Sequence, residues 1–518
     1  MLDEHVRAAD PVICNHDRAQ NSGHGLLLLG FVTFVVLLWS ALPALLQSVP
    51  HADNVEQLNW AHALQWGYFK HPPLPTWLLY AGIAVFGRSA FLTYALAMAC
   101  VGATLIVLWR CALLVLDHDD ALLAVLLSSA DYYLMGRGSF LNHNTVMLPF
   151  VAASAWAVLR IIRDEQAAGG TVVPWALLGI AQAFGLLTKY QMAIIIAASA
   201  LALGASGTWR RPWFWRHVAL CGLVTALPLV PHLLWLERHE FSTFAYAGHS
   251  LLAGLPAGER LLHSAGFVAQ QLGRLAPALI ALAMAVFIER AQRNRRGPNV
   301  AEREPQRAET PAPQQRALAI LALMPLATVL ALVLLVGVAP QNHWGASTTL
   351  LLPLYAVTLL RKQNRPRPRI GLMAVLSVHA AALVWNVVVA TREPGFHHSF
   401  AAQPLAALAL AHWQANTDGR LTIIIGPDWE AGAIALELPT HPAVLPDGDR
   451  SQAPWISDEQ LARCGALVLW RPEQPAQQQI GAQFAQRLQA PVELRTPVPH
   501  GAVSVIAAGV IAPSSGGC

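Results

Sequence analysis

Apolar stretches recur along most of the chain and are separated by short polar or basic connections. Many reach roughly 20 residues, the length that an α-helix needs to cross the hydrocarbon core of a bilayer. About eleven of them are predicted as membrane spans, near 26–47, 89–109, 121–136, 144–162, 174–188, 190–206, 217–236, 266–288, 317–338, 347–360 and 370–390. The pattern therefore predicts a polytopic α-helical membrane protein.

The stretch 74–87 is apolar but short, and counting it as a span would reverse the orientation of everything after it. With the N-terminus inside, twenty Lys and Arg residues fall in the inside connections, against eight in the outside connections before the C-terminal region. This asymmetry is the positive-inside bias of membrane proteins. It predicts that 74–87 is interfacial or re-entrant.

The same topology places the less basic loops on the outer face of the membrane. These loops are 49–75, 137–143, 237–261 and 339–346, and the C-terminal region from about 396 follows them there. Any chemistry is therefore expected to be extracytoplasmic.

Two segments differ from the apolar pattern. Residues 289–316 are rich in Arg, Glu, Pro and Gln and cannot bury enough surface to fold, which predicts a flexible cytoplasmic loop within a membrane domain of residues 1–395. Residues 396–518 are predicted to form a small α/β domain. Its predicted strands are 421–426, 466–470 and 503–507, and its predicted helices are 402–415 and 475–489.

Composition supports the membrane assignment. The chain is 55% apolar and 12% charged, whereas soluble globular proteins carry about 25% charged residues. A soluble enzyme and a disordered protein are therefore excluded. The net charge of +4 is small and scattered, which argues against a nucleic-acid partner. The six cysteines have no CxxC or similar spacing, so neither a zinc framework nor a disulfide scaffold is predicted.

The first outer loop carries the most informative residues, HADNVEQLNWAHALQWGYFKHPPLPTW at 51–77. Asp53, Glu56 and Trp60 fall at helical spacing, which predicts an amphipathic helix along the membrane surface. We expect Asp53 to cap it and Gly67 to end it before a proline-locked turn. In a purely structural interpretation, Asp53 is only a helix cap and the loop tryptophans only form an interfacial belt.

The loop pattern Asp-x-x-Glu, Trp-Gly-Tyr and Pro-Pro-Leu with a following Trp, placed directly after the first span, resembles the family 39 glycosyltransferases. That family contains the protein O-mannosyltransferases, and the bacterial lipid A aminoarabinose transferases are related to it. The likeness extends to the many spans, the large first outer loop and the small C-terminal domain, and it is greatest to the bacterial branch. It implies a GT-C-like glycosyltransferase with about 11–13 transmembrane helices.

The resemblance also implies a reaction. The donor would be a polyprenyl-phosphate sugar, and the acceptor a lipid, a glycan or a protein. Transfer would invert the anomeric centre at the periplasmic face of a bacterial inner membrane, in contact with the membrane lipid. Asp53 matches the loop aspartate that acts as base. Glu56 matches the second acidic position less closely, because many members have Asp-Glu where this chain has Asp53-Asn54.

The family often has a lysine directly before the Pro-Pro pair, where it can hold the donor phosphate. Here that position is His71, with Lys70 one residue earlier, and both are candidates. A phosphate leaving group needs one carboxylate to take the acceptor proton and cations to stabilise the departing charge. The other substrate-binding candidates are Tyr68, Asp131, Arg137, His143, Lys189, Tyr190, Arg274, Asn342 and His343.

Structural alternatives exist for several of these candidates. Asp131 and Arg137 could pair only to fix two helix ends, and Lys189 could be a snorkelling interfacial lysine. No metal cofactor is expected, although His51, Asp53 and His71 could converge on a divalent ion. The alternative functions are a transporter or flippase for a lipid-linked sugar and a catalytically inactive scaffold. Transporters usually show inverted repeats, and the two halves of this chain show no repeat.

Overall fold

The computed structural model describes residues 11–166, 171–251, 254–296, 311–360, 365–392, 400–497, 503–514 and 518. Residues 297–310, half of the predicted flexible loop at 289–316, lie outside these residues, as do Arg361 and Lys362 of the basic connections. The described ends of that loop are helical, because one helix continues to Arg296 and the next begins at Ala312.

The described part up to Arg392 is helical. Its helices are α1 Pro11–Leu46, α2 Ala52–Trp60, α3 Leu74–Phe86, α4 Ala90–Ala112, α5 His118–Ser129, α6 His143–Gln166, α7 Val172–Thr188, α8 Met192–Ser206, α9 Phe214–Ala226, α10 Val230–Arg238, α11 Ser242–Leu251, α12 Ala257–Arg296, α13 Ala312–Ala331, α14 Gly345–Thr348, α15 Leu352–Leu359 and α16 Pro368–Arg392. One apolar core joins α1, α4, α5, α6, α8 and α13.

Seven helices in the described ranges are long and apolar enough to cross a membrane. They are Gly23–Leu46, Ala90–Ala112, His143–Asp164, Phe214–Arg238, Ala257–Arg295, Ala312–Val336 and Pro368–Arg392, and α3, α7 and α8 are shorter apolar helices. The predicted polytopic α-helical fold is confirmed.

Two predicted spans are wrong as continuous helices. The run 121–136 is helical only as α5, which has 12 residues, so at 1.5 Å per residue it reaches about 18 Å of a core of about 30 Å. The run 347–360 contains a turn followed by the 8-residue helix α15. In the first case the chain turns because the Asp131 carboxylate accepts from the Tyr133 backbone N–H, a local bond that competes with the helix.

The short helix α3 lies alongside α2. Near its start, the Thr76 hydroxyl donates to Gln57 Oε1 at 2.7 Å. Just beyond its end, the Arg88 guanidinium donates to the Leu58 carbonyl at 2.5 Å. Contacts near both ends of α3 therefore hold it against α2.

The C-terminal domain contains a five-stranded sheet in the order β2-β1-β3-β5-β4. The strands are β1 Ile423–Gly426, β2 Ala443–Pro446, β3 Ala466–Trp470, β4 Gln489–Pro497 and β5 Val503–Ile511, and the helices are α17 Ala402–Asn416, α18 Asp428–Glu437, α19 Asp458–Cys464 and α20 Pro475–Gln483. Strand β1 is parallel to β2 and β3, whereas β5 is antiparallel to β3 and β4.

The predicted α/β domain is confirmed, with corrections in detail. Strands β2 and β4 were not predicted. Strand β2 has only four residues, and β4 is mostly exposed and has no apolar run. The predicted helix 475–489 ends at Gln483, where the chain turns towards β4. A disulfide joins Cys464 to Cys518, whose Cα atoms are 5.0 Å apart, a pairing that the sequence did not predict. The two cysteines lie 54 residues apart, which gives no spacing pattern.

Helix α18 packs directly against α2 and joins the two domains. The Asn59 side chain of α2 donates to Asp428 Oδ1 at 2.8 Å and to the Asp428 carbonyl at 3.0 Å. The Trp429 indole N–H donates to the Pro50 carbonyl at 2.9 Å. The helices approach closely at Gly432, where a Cβ atom would lie 2.4 Å from Val55 Cγ1.

We expect Gly432→Ala to weaken this interface. The added methyl group would also lie 2.6 Å from Asn59 Nδ2, and overpacking of this kind costs about 1–3 kcal/mol, against a helix-propensity gain of at most about 1 kcal/mol. Thermal unfolding and limited proteolysis of the purified protein should show a lower midpoint and faster cleavage between the domains. The matched control is Gly419→Ala, because a Cβ there meets Pro513 at an ordinary 3.5 Å. Equal behaviour of the two variants would contradict the prediction.

Candidate active site

Helix α2 presents Asp53 from its first turn. The N-cap is His51, whose Nδ1 accepts from the Asp53 backbone N–H at 3.5 Å and whose ring stacks on Phe140 at 3.9 Å. The prediction that Asp53 caps the helix was therefore wrong, as was the predicted end at Gly67, since α2 ends at Trp60. Because His51 serves as the cap, the Asp53 carboxylate is available for contacts with another element.

That element is the start of α6. Asn142 Nδ2 donates to Asp53 Oδ2 at 2.7 Å. The Asn142 Oδ1 atom accepts from the backbone N–H groups of Asn144 and Thr145 at 2.9 and 3.0 Å, which caps α6. Since two backbone donors fix the oxygen, the amide nitrogen must point to Asp53. The helix cap thus sets the direction of the hydrogen bond to the candidate base.

Lys189 lies in the connection between α7 and α8 and reaches the same place. Its Nζ donates to Asn144 Oδ1 at 2.5 Å. Burial lowers the pKa of Lys189 to about 7, and the negative charge of Asp53 opposes that shift. The candidate base and this lysine therefore interact electrostatically, at the N-terminal end of α6.

A small cavity opens beside these residues. Arg137 and His343, both predicted from the sequence, line it, and Asn142 connects it to Asp53. The full lining is Tyr133, Arg137, Asn142, Asn144, Thr145, Leu148, His343 and Ala346. The cavity thus combines polar and cationic side chains next to a carboxylate, which suits an anionic ligand.

The turn after α5 forms one wall. Tyr133 donates its hydroxyl to Gln271 Oε1 at 3.0 Å and to the carbonyl of Asn342, another predicted residue. The Arg274 guanidinium lies over the Tyr133 ring at 5.0 Å. These contacts bring Arg274 and the 342–343 turn to the cavity. Asn342 contacts Tyr133 through its backbone carbonyl and not through its side chain.

Asp131 supports that wall. Its carboxylate accepts from the Tyr133 backbone N–H at 2.9 Å and attracts Arg274. Arg137 instead lies over the Phe140 ring at 4.9 Å. The structural alternative of an Asp131–Arg137 pair is therefore replaced by an Asp131–Arg274 interaction.

The histidine before the Pro-Pro pair is buried against another candidate. The His71 and His143 rings are 4.0 Å apart, and His143 Nε2 lies 3.2 Å from the Pro72 carbonyl. Burial lowers the pKa of His71 well below its ordinary value, and the nearby His143, Lys189 and Lys70 lower it further. His71 is accordingly neutral at pH 7, which makes it a poor partner for a phosphate.

Lys70 and Glu56 form an ion pair. Lys70 Nζ donates to Glu56 Oε1 at 2.5 Å and lies 5.8 Å from the Tyr246 ring centre. Burial alone would lower the pKa of Lys70, but the Glu56 carboxylate outweighs burial and raises it. Burial raises the pKa of Glu56, opposed by Lys70 and reinforced by the Asp428 carboxyl. Lys70 is therefore charged, with Glu56 as its counter-ion.

Two predicted tyrosines use their hydroxyl groups inside the fold. Tyr68 donates to the Ala63 carbonyl at 2.7 Å and stacks on Trp60 at 5.1 Å. The Tyr190 hydroxyl lies 2.9 Å from His232 Nε2 and 3.1 Å from the Thr243 hydroxyl. Both shape the loops around the cavity, and neither is among its lining residues.

Asn142, Asn144 and Gln271 were not predicted as site residues. Asn142 and Asn144 flank His143 at the start of an apolar span, so a polar cluster was visible there, but its connection to Asp53 was not. The suggested convergence of His51, Asp53 and His71 does not form a ligand set, since His51 stacks on Phe140 and His71 on His143. Among the described residues, no three His, Cys, Asp or Glu side chains are placed to hold a metal.

The burial of His71 predicts acid sensitivity. Below about pH 6.5 the unfolded chain binds a proton that folded His71 resists, so stability is present above that pH and falls as the pH decreases, by up to about 1.4 kcal/mol per pH unit. Thermal unfolding from pH 8 to 4.5 should therefore fall less steeply for His71→Asn than for wild type. The control is His263→Asn, which replaces an exposed histidine on α12. Identical slopes for wild type and His71→Asn would contradict the prediction.

The sequence is similar to a known protein family and to two characterised relatives. Residues 70–235 match the family described as dolichyl-phosphate-mannose-protein mannosyltransferase. The lipopolysaccharide core galacturonosyltransferase RgtA of Rhizobium johnstonii is 24% identical over 490 residues, 87% of each chain, and RgtB of the same organism is 25% identical over 472 residues, 88% of this chain and 89% of RgtB.

Solved structures agree on the fold. ArnT from Cupriavidus metallidurans, bound to undecaprenyl phosphate, superimposes with a TM-score of 0.59 at 12% identity, covering 94% of this chain and 98% of ArnT. Its apo form gives a TM-score of 0.58 at 14% identity. The predicted resemblance to the family 39, GT-C type glycosyltransferases is thereby confirmed: the chain has an ArnT-like fold and is similar over most of its length to proteins named glycosyltransferases.

Proposed function

We propose that the protein transfers a sugar from a polyprenyl-phosphate donor to a lipid, glycan or protein acceptor, with Asp53 as the general base. The observation that supports this proposal best is the Asp53 carboxylate, held by Asn142 at the edge of a small polar cavity that Arg137 lines. A positioned carboxylate beside a site for a leaving anion is the minimum that this chemistry requires.

The reaction is proposed as a single inverting displacement. The acceptor hydroxyl oxygen attacks the anomeric carbon of the sugar and forms the new glycosidic bond. The bond from that carbon to the phosphate oxygen breaks, and its electron pair leaves with the polyprenyl phosphate. The hydroxyl proton passes to the Asp53 carboxylate, of which Oδ2 already accepts from Asn142, so Oδ1 is the oxygen proposed to receive it.

Arg137 and Arg274 are the residues proposed to stabilise the leaving phosphate. Arg137 lines the cavity, and Arg274 lies over Tyr133 of the same wall. Guanidinium groups can bind phosphate oxygens by two parallel hydrogen bonds. Lys70 is neutralised by Glu56 and His71 is uncharged, so neither residue before the Pro-Pro pair is proposed for this role.

The donor, the acceptor and the location follow from several observations. ArnT is described as bound to undecaprenyl phosphate, and RgtA and RgtB as acting on the lipopolysaccharide core. We extend both to this chain, which gives an undecaprenyl-type carrier and a lipopolysaccharide-like acceptor. The positive-inside bias favours a periplasmic site in a bacterial inner membrane. The Cys464–Cys518 disulfide supports the same side for the C-terminal domain, because disulfides persist in oxidising compartments.

Asp53→Asn is expected to abolish most turnover. The new amide oxygen can still accept from Asn142, so the fold is kept, but the proton acceptor is lost, and general-base catalysis is worth roughly 10²–10⁴-fold. The assay uses purified protein in lipid with a panel of polyprenyl-phosphate sugars and follows release of polyprenyl phosphate. The matched control is Asp458→Asn, which makes the same change at an exposed carboxylate of α19.

Two outcomes would contradict the proposal at different levels. Equal turnover by wild type and Asp53→Asn would remove Asp53 from the role of base. A folded wild-type protein that turns over no donor in the panel, but moves a lipid-linked sugar between leaflets of a vesicle, would favour the transporter alternative.

A further inference from the structure

Lys189 has an unusual partner for a cation held inside the fold. Its ammonium group donates to the neutral amide oxygen of Asn144 at 2.5 Å. By contrast, Lys70 contacts the Glu56 carboxylate directly, and Arg471 contacts the Glu430 carboxylate at 2.8 Å. Cations removed from water are normally paired. The site next to Lys189 and Asn144 is therefore suited to an anion supplied by a ligand.

Lys189 comes to the site from a different segment than Arg137 and Arg274. Lys189 is attracted by Asp53 and contacts Asn144, whose neighbour Asn142 holds the Asp53 carboxylate. In an inverting displacement the attacking and leaving oxygens lie on opposite sides of the anomeric carbon. Lys189 contacts the cavity through Asn144 at the start of α6, whereas Arg137 and Arg274 belong to the wall formed by the turn after α5. A cation that approaches from the side of Asp53 is available to a group of the donor other than its phosphate.

We propose that Lys189 binds a carboxylate on the donor sugar, so that the transferred sugar is a hexuronic acid. This inference rests on the proposed function and adds the substrate class and the residue that recognises it. An ammonium–carboxylate contact is charge-assisted and gains strength where water is limited. The relatives RgtA and RgtB are both described as galacturonosyltransferases, and galacturonic acid carries such a carboxylate.

The electrostatics of the lysine are consistent with this assignment. Burial lowers the pKa of Lys189 to about 7. A bound carboxylate would favour the charged form of the lysine, because an opposite charge within a few ångströms raises the pKa of an ammonium group. Lys189 would then be most fully protonated when an acidic sugar occupies the cavity.

The first test compares three donors on wild-type protein. They share one polyprenyl phosphate and carry galacturonic acid, its uncharged 6-carboxamide or galactose. Release of polyprenyl phosphate is measured with water as the acceptor, which removes any anion of the natural acceptor. We expect kcat/KM to be roughly 10- to 100-fold higher for the galacturonic acid donor than for the other two donors, mostly because its KM is lower. A difference of this size corresponds to one charge-assisted hydrogen bond.

The second test asks whether Lys189 provides that preference. In Lys189→Gln the preference for the acidic donor should fall to within about threefold of unity, and in Lys189→Arg, which keeps the charge, much of it should remain. Arg137→Gln is the comparison variant. Because Arg137 is proposed to act on the phosphate common to all three donors, its replacement should slow all of them in the same proportion.

Several results would overturn the inference while leaving the proposed function intact. Wild type could use the three donors equally, or Lys189→Gln could slow all of them equally, as expected if Lys189 only balances the charge of Asp53. A preference that appears only with an anionic acceptor would assign the anion to the acceptor. If Lys189→Gln fails to fold, the donor comparison on wild type still decides whether the carboxylate is recognised. Failure of every donor would instead contradict the proposed function itself.

Discussion

The burial of a polar helix is the constraint on which the rest of the site depends. Helix α2 carries Asn54, Gln57 and Asn59, all of them buried, and a buried amide is costly unless it is hydrogen-bonded. Asn54 donates to Thr93 of α4, Gln57 accepts from Thr76 of α3, and Asn59 donates to Asp428 of the C-terminal domain. Since these bonds point in different directions, rotation of α2 would break several at once. The direction of Asp53 is therefore fixed by residues that take no part in its chemistry.

The charges of the side chains around this helix are likewise set by contacts made in the fold. The positive charge of Lys70 is balanced by Glu56, and His71 is kept neutral by burial against His143. The cations that remain for a ligand, Arg137, Arg274 and Lys189, come from three other segments and surround the end of α6. Cations held in place by the fold can stabilise a developing phosphate charge without having to reorganise during the reaction. The residues directly before the Pro-Pro pair are thus engaged with Glu56 and His143, and the proposal assigns ligand binding to Arg137, Arg274 and Lys189.

The long apolar runs and Asp53 could be predicted from the sequence, because span length and the loop pattern are local properties. The surroundings of Lys70 and His71 could not be predicted, because they depend on Glu56 and His143, which meet these two residues only in the fold. For the same reason the roles of Asn142 and Asp428 were not visible, since they contact α2 from 89 and 369 residues away. The cap of α2 was misassigned because His51 and Asp53 are both able to accept a hydrogen bond, and stacking on Phe140 decides between them.

The C-terminal domain belongs to the support of the site and is not an independent appendage. The loop after α2 is enclosed between the domains, since Gly67 leaves room for the Trp235 ring on one side and Tyr68 meets Trp455 edge-on at 6.1 Å on the other. Asp428 also acts electrostatically on both Glu56 and Lys70. Removal of the domain would expose the polar face of α2 and release the Lys70–Glu56 pair to water, where such pairs contribute little. The cavity is built from the membrane domain, but the helix that carries Asp53 is held by contacts with both domains.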